Sequence, residues 1–107
     1  MLALLNKIDA HLASFRLAMV SGNDALIQPA ADGLKAEISA IAAHADARKY
    51  KSAECFAKEF PKALEDFLAA AKAKDEKRAM KALDTMTAIV HPLRTEAEGQ
   101  PADRNHI

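Results

Sequence analysis

The stretch "LLNKIDAHLASFRLAM", residues 4–19, sets Leu5, Ile8, Leu12, Phe15 and Met19 at intervals of three and four. Side chains at that spacing line one face of an α-helix, because successive residues turn by about 100°, and they cannot line one face of a strand. Asn6, Lys7, Asp9 and Arg16 fill the opposite side. The segment therefore reads as an amphipathic helix from about Leu2 to Ser21, with a seam that other helices must cover. "SGND" at 21–24 ends it: Gly22 suits the left-handed C-cap of a helix, and Asn23 or Asp24 suits the next N-cap.

Outward from this helix the same spacing recurs. Ile27, Ala31, Leu34, Ile38, Ile41 and Ala45 carry it into a second helix, which Pro29 and Gly33 disturb. Either a short turn covers 24–28 and the helix begins near Pro29, or a longer helix bends there. The polar run "DARKYKS", 46–52, reads as a connection, with Ser52 as the N-cap of a third helix over roughly 53–73. Phe56, Phe60, Ala63 or Leu64, Phe67 and Ala71 form its apolar stripe, and Pro61 inside it is expected to kink or split it. Asp75 caps a fourth helix from about Glu76 to Glu96, with Met80, Leu83, Met86 or Thr87, Val90 and Leu93 on its apolar side. Pro92 is expected to bend that helix or begin its end, which puts His91 near a terminus. Four such helices with short connections predict an all-α fold, an antiparallel up-and-down four-helix bundle with proline-kinked helices. The single domain is expected over 1–98, with a flexible C-terminal tail over 99–107.

The 107 residues suffice for one core and not for two. Alanine makes up roughly a quarter of the chain, and β-branched and aromatic residues are scarce, which favours helices over sheets. Fifteen basic residues balance fifteen acidic ones, where a dedicated nucleic-acid binder would show a basic excess. "RKYKS" (48–52) and "KAKDEKRAMK" (72–81) hold clustered cations, and a tyrosine between cations could stack on a base, but Asp46, Asp75 and Glu76 interrupt the runs. No nucleic-acid partner is expected. The single cysteine, Cys55, leaves no disulfide framework or cysteine-rich zinc cluster, and it is expected to be a small half-buried residue in a reducing compartment. "MLALLNKIDAHLASF" has no long uninterrupted apolar run, so neither a signal peptide nor a membrane span is expected and the localisation expected is cytoplasmic.

Candidate chemistry centres on two histidines. In an antiparallel bundle the end of the fourth helix lies beside the start of the first, which would bring His91 close to Lys7, Ile8 and His11. Two imidazoles so placed could ligate a metal or a haem iron. "AMKALDTMTAIVHPLR" (79–94) resembles the last helix of cytochrome b562-type bundles, in which a histidine near the C-terminal end is an axial haem ligand. The resemblance implies that role for His91. That family pairs its histidine with a methionine early in the first helix, where this chain offers only Met1; the Cys-x-x-Cys-His attachment of the related cytochromes c′ is absent. The alternative is a histidine near a helix C-terminus, where a cation interacts well with the dipole. His44, in "AAHADARK" (42–49), sits in a chain the size of a histidine-phosphotransfer bundle. Those domains follow their histidine with a lysine and then a glycine one turn on; here Arg48 stands at the fourth position and would crowd a receiver domain.

No Glu-x-x-His or Gly-x-Ser-x-Gly occurs, so neither a carboxylate-bridged metal site nor a hydrolase is expected, and the leading reading has no cofactor and no catalytic residue. What remains is a surplus of apolar residues. Phe56, Phe60 and Phe67, with Leu64 and Leu68 beside them, make a face wider than a narrow seam, and Leu17 and Val20 lie outside the stripe of the first helix. Phe56, Phe60, Phe67, Leu17 and Val20 are thus the expected contact residues for a protein partner or for a homodimer. The function expected is that of a small cytosolic adaptor, export-type chaperone or inhibitor that is not an enzyme, similar in size and pattern to the short helical chaperones of flagellar secretion. The alternative is a haem- or metal-binding bundle using His91 and His11.

Overall fold

A computed structural model describes residues 1–105. Four helices, α1 (Leu2–Ser21), α2 (Ile27–Ala43), α3 (Lys51–Lys72) and α4 (Glu76–Asn105), pack as an all-α bundle, with one-turn 3-10 segments at Asp24–Leu26 and Ala47–Lys49 flanking α2. The described residues contain no strand. Thirty residues at ~1.5 Å each make α4 about 45 Å long, and it sets the 50 Å long dimension of the molecule.

Helix α1 has the limits that its sequence signals imply. Its seam buries Leu5, Ile8, Leu12 and Phe15, with Ala18 taking the last core position and Met19 half-buried beside it. Gly22 stops the helix in the left-handed region at φ 72°, where a Cβ would add strain. Asn23 then accepts a hydrogen bond from the Ala25 N–H at 3.2 Å and starts the 3-10 turn. Helix α2 begins at Ile27, so Pro29 falls in its first turn, where a missing N–H has no intrahelical partner to lose. The corresponding turn after α3 has no glycine: Lys74 occupies the left-handed region at φ 61°, and Asp75 caps α4 by accepting from the Arg78 N–H at 3.2 Å.

Three expectations are corrected. Helix α3 starts at Lys51, so Ser52 lies within its first turn and is not its N-cap. Pro61 does not split α3, which runs through it as one helix. Helix α4 does not end near Glu96; it passes Pro92 and Gly99 to Asn105. A proline removes one intrahelical hydrogen bond, and here burial on both sides offsets that cost, since Val90, Leu93 and Ala97 all face the core. The tail expected over 99–107 continues this helix through Asn105, and its last two residues lie outside the described ones.

The core is built from all four helices. Its largest fully buried side chains are Phe15, Phe56, Phe60, Phe67, Leu5, Ile8, Leu34, Ile41, Leu83, Met86 and Leu93. Phe15 of α1 stacks on Phe67 of α3 with ring centroids 4.2 Å apart, and Phe56 stacks on Phe60 at 4.7 Å. Helices α3 and α4 share the most extensive contact; α2 and α3 share the least of the neighbouring pairs.

Candidate functional site

Two surfaces stand out, and the first is the outer face of α1. Leu17 and Val20 are the exposed large apolar side chains among the described residues, 57% and 83% accessible. Three residues apart, they are neighbours on the helix surface, and the exposed Ala13 and Ala10 continue the strip by about two turns. Arg16 at the edge of this face reaches Asp84 at 3.4 Å and Thr87 at 3.3 Å on α4. Arg94 reaches back from α4 to Asn6, at 2.9 Å, and to Asp9. Exposed ion pairs of this kind add little stability, but they fix which side of α1 meets α4.

The second surface is the seam between α2 and α3. It is open at both ends. One end is a cleft of about 480 Å³ lined by Ile38, Ile41, Tyr50, Ala53 and Phe56, with Arg48, Lys51 and Glu54 among its polar groups. The other is a cleft of about 540 Å³ lined by Ile27, Leu68 and Ala71, with Asp24, Lys72 and Lys74. At these two ends Ile27, Ile38, Ala53, Leu68 and Ala71 are only half-buried, packed against the core without being covered by it, whereas Ala31, Leu34, Phe60 and Leu64 in the middle of the seam are at most 2% exposed. Small residues cause the gap: α3 presents Ala53, Ala57 and Ala71 on this flank, and an alanine reaches too short a distance to fill a seam between two helices.

The three phenylalanines expected to meet a partner are core instead. Phe56, Phe60 and Phe67 are at most 1% exposed, and of the three only Phe56 borders one of the clefts. An apolar stripe wider than a narrow seam is what a helix needs when it faces more than one neighbour, and α3 packs on both α4 and α2. The structure does not bring His11 and His91 together. Asp9 and His11 are two residues apart, so at ~100° per residue they leave α1 on flanks about 160° apart. Asp9 faces α4, whereas the His11 ring lies against Gly33 of α2 with Nε2 3.6 Å from Glu37 Oε2. His91 is exposed on α4, in mid-helix. His44 is the C-cap residue of α2; its Nδ1 accepts from the Asp46 N–H at 3.0 Å, and its Nε2 lies 3.1 Å from the α-amino group of Met1. No group of three or more metal-ligating side chains occurs among the described residues. Cys55 is exposed rather than half-buried, being one residue, and so about 100°, off the Phe56 core position. Tyr50 is buried, which removes the one aromatic that could have stacked on a base beside Arg48, Lys49 and Lys51.

Sequence reasoning missed Glu96. Helix α3 has no side-chain cap of its own. The Glu96 carboxylate of α4 takes that role, with Oε1 accepting from the Ser52 N–H at 2.7 Å and Oε2 from the Lys51 N–H at 3.0 Å. The Ser52 hydroxyl first, then these backbone N–H groups and the Lys51 charge, hold its carboxyl below the ordinary glutamate value, against a smaller opposing effect of burial. A cap donated from another helix 44 residues away in sequence leaves no local signature. Compared with known proteins, the chain matches no family model, no curated protein and no solved structure.

Proposed function

We propose that this protein is a non-enzymatic helical-bundle module that acts through protein–protein contact, as an adaptor, an export-type chaperone or an inhibitor. The observation that carries the reading is the paired exposure of Leu17 and Val20 on the outer face of α1. Covering a fully exposed leucine or valine contributes roughly 1.5–3 kcal/mol, and nothing within the bundle gains from leaving two of them in water side by side. The contact involves either a different protein or a second copy of the chain, in the cytoplasm. The reading also takes the helices as antiparallel and up-and-down, with a bend in α3 at Pro61. Its support is that Asn6 and Asp9 pair with Arg94 while Arg16 pairs with Asp84, so rising numbers on α1 meet falling numbers on α4. For the bend, the support is the clash of a proline ring with the carbonyl four residues back.

The test compares wild type with Leu17→Asp and Val20→Asp, by sedimentation for self-association and by capture from the native host for a partner. Because both side chains are exposed, the melting curve should be nearly unchanged, within about 0.5 kcal/mol. Association or capture lost in both variants supports the reading. Association and capture that persist unaltered in a folded double variant would refute it.

A further inference from the structure

We propose that the open seam between α2 and α3 is a docking groove for an acidic amphipathic helix of a partner protein, a second contact surface separate from the face of Leu17 and Val20. The two clefts have apolar walls and lie far enough apart to be bridged by one helix. Ile27 and Ile38 stand eleven positions apart on α2, about 16 Å at ~1.5 Å per residue, which matches three turns of a bound helix. On the α3 side Ala53 at one end and Leu68 and Ala71 at the other are half-buried and can take further cover. An occupant with apolar residues at i, i+4, i+7 and i+11 would cover Ile38 and Ala53 at one end and Ile27, Leu68 and Ala71 at the other.

The edges decide the sign of the occupant's charge. The acidic groups that line the two clefts already face lysines: Asp24 lies 2.7 Å from Lys74 and Glu54 3.4 Å from Lys58, which leaves the exposed Glu65, two turns before Lys72 on α3, as the acidic group set against the cations that follow. Arg48 and Lys72 line the two clefts and make no ion pair with any described residue. Lys51 adds a third cation at the Arg48 end. Lys35 is exposed and lies four residues after Ala31 and three before Ile38, on the flank of α2 that also carries Ala42 of the first cleft. The chain as a whole is neutral, so this excess of positive charge is local. A helix with glutamates beside its apolar stripe would meet complementary charge along both edges, whereas a basic helix would meet like charge. A nucleic acid or an anionic membrane would also find the cations, but neither would fill a narrow apolar floor between two helices.

The test titrates the full chain into a fluorescein-labelled peptide of about four turns, with leucines at i, i+4, i+7 and i+11 and glutamates between them. A second peptide keeps the leucines and replaces each glutamate with lysine. The acidic peptide is expected to bind at least about tenfold more tightly than the basic one, and less tightly as salt shortens the Debye length below ~10 Å. Arg48→Glu should weaken binding about tenfold, and Ala57→Trp, which fills the first cleft from an exposed helix position, should abolish it, both with unchanged melting curves. Leu17→Asp should leave peptide binding as it is, so loss of the α1 contact and loss of the groove are read separately. Equal binding of the two peptides, or binding indifferent to both groove variants, overturns the proposal. So does binding to mixed phosphatidylcholine and phosphatidylglycerol vesicles in place of the peptide, or a peptide signal lost in Leu17→Asp alone.

Discussion

Helices α3 and α4 meet along an extensive seam that leaves one cleft of about 320 Å³ beside Cys55 and Ile89, and α2 and α3 along a slighter one with a larger cleft at each end, although α3 supplies one wall of both. On the α4 side Leu83, Met86, Val90 and Leu93 are buried, and the Glu96 carboxylate binds the first turn of α3. On the open side the same helix shows Ala53, Ala57 and Ala71 to a flank of α2 that leaves Ile27 and Ile38 half-covered. The two seams differ in side-chain size more than in apolar character, and that is the lesson. An apolar periodicity says that a face will be covered. The volume of the residues says by how much, and a flank of alanines opposite isoleucines leaves room for another chain.

Truncations on the two seams should break the molecule unequally. Phe67→Ala removes a fully buried ring that stacks on Phe15, and should cost about 3–5 kcal/mol. For a domain of this size that loss approaches the whole stability, so denaturant titration should show a largely unfolded or molten variant. Ile38→Ala and Leu68→Ala, on the open seam, delete half-buried side chains whose surroundings already contain space. Each should cost about 1–2 kcal/mol, below the range for a fully buried aliphatic residue, because no new sealed cavity forms. A cost for Ile38→Ala as large as that for Phe67→Ala would mean that the α2–α3 seam is closed in solution.

The Glu96 cap ranks next. Glu96→Ala should cost about 1 kcal/mol, the usual value of an N-cap, reduced by the partial exposure of the site. The pH dependence carries the sharper test. The folded-state pKa lies below the unfolded one, so the stabilisation is fully present above the unfolded value near ~4.3 and is lost as pH falls through the folded value. Melting curves of wild type and Glu96→Gln should therefore differ at neutral pH and converge in acid. A gap that stays constant through the carboxylate range would show that the charge of Glu96 does not cap α3.

Much of this architecture was legible in the chain. The three-four spacing located each helix, Gly22 and Asp75 marked turns by their backbone chemistry, and the limits of α1 followed from both signals together. The errors share a cause. Ser52 looks like an N-cap because local sequence cannot show Glu96 arriving from α4, and Pro92 looks like an end because the burial of Leu93 and Ala97 is a tertiary fact. The candidate contacts divide in the same way. Leu17 and Val20 fall off the stripe of α1 and are exposed, as position on a helix wheel implies. Phe56, Phe60 and Phe67 fall on the stripe of α3, and only the arrangement of neighbours shows that a wide stripe there is core. The groove was the least legible feature, since it depends on which flanks of α2 and α3 face each other.

Helix α2 packs closely on α1 on the side away from the groove, and a small effect of reversible sign tests this. Gly33 is a poor residue for a helix interior, costing about 0.5–1 kcal/mol relative to alanine. Its use here is steric: a Cβ at that position would lie 2.3 Å from His11 Cε1 and 2.4 Å from Nε2, far inside contact distance. In Gly33→Ala the ring must leave its rotamer, at about 0.5–1.5 kcal/mol, and give up its packing on α2 and its approach to Glu37. The loss exceeds the gain in helix propensity, so Gly33→Ala should destabilise slightly, by less than about 1 kcal/mol. With His11→Ala already in place the ring is gone and only the propensity gain remains, so the same substitution should stabilise by up to ~1 kcal/mol. Denaturant midpoints of the four proteins measure this directly. The same sign in both backgrounds would mean that the His11 ring does not set the spacing of α1 and α2. Opposite signs would show that the His11 ring sets how closely α2 approaches α1, on the side away from the groove.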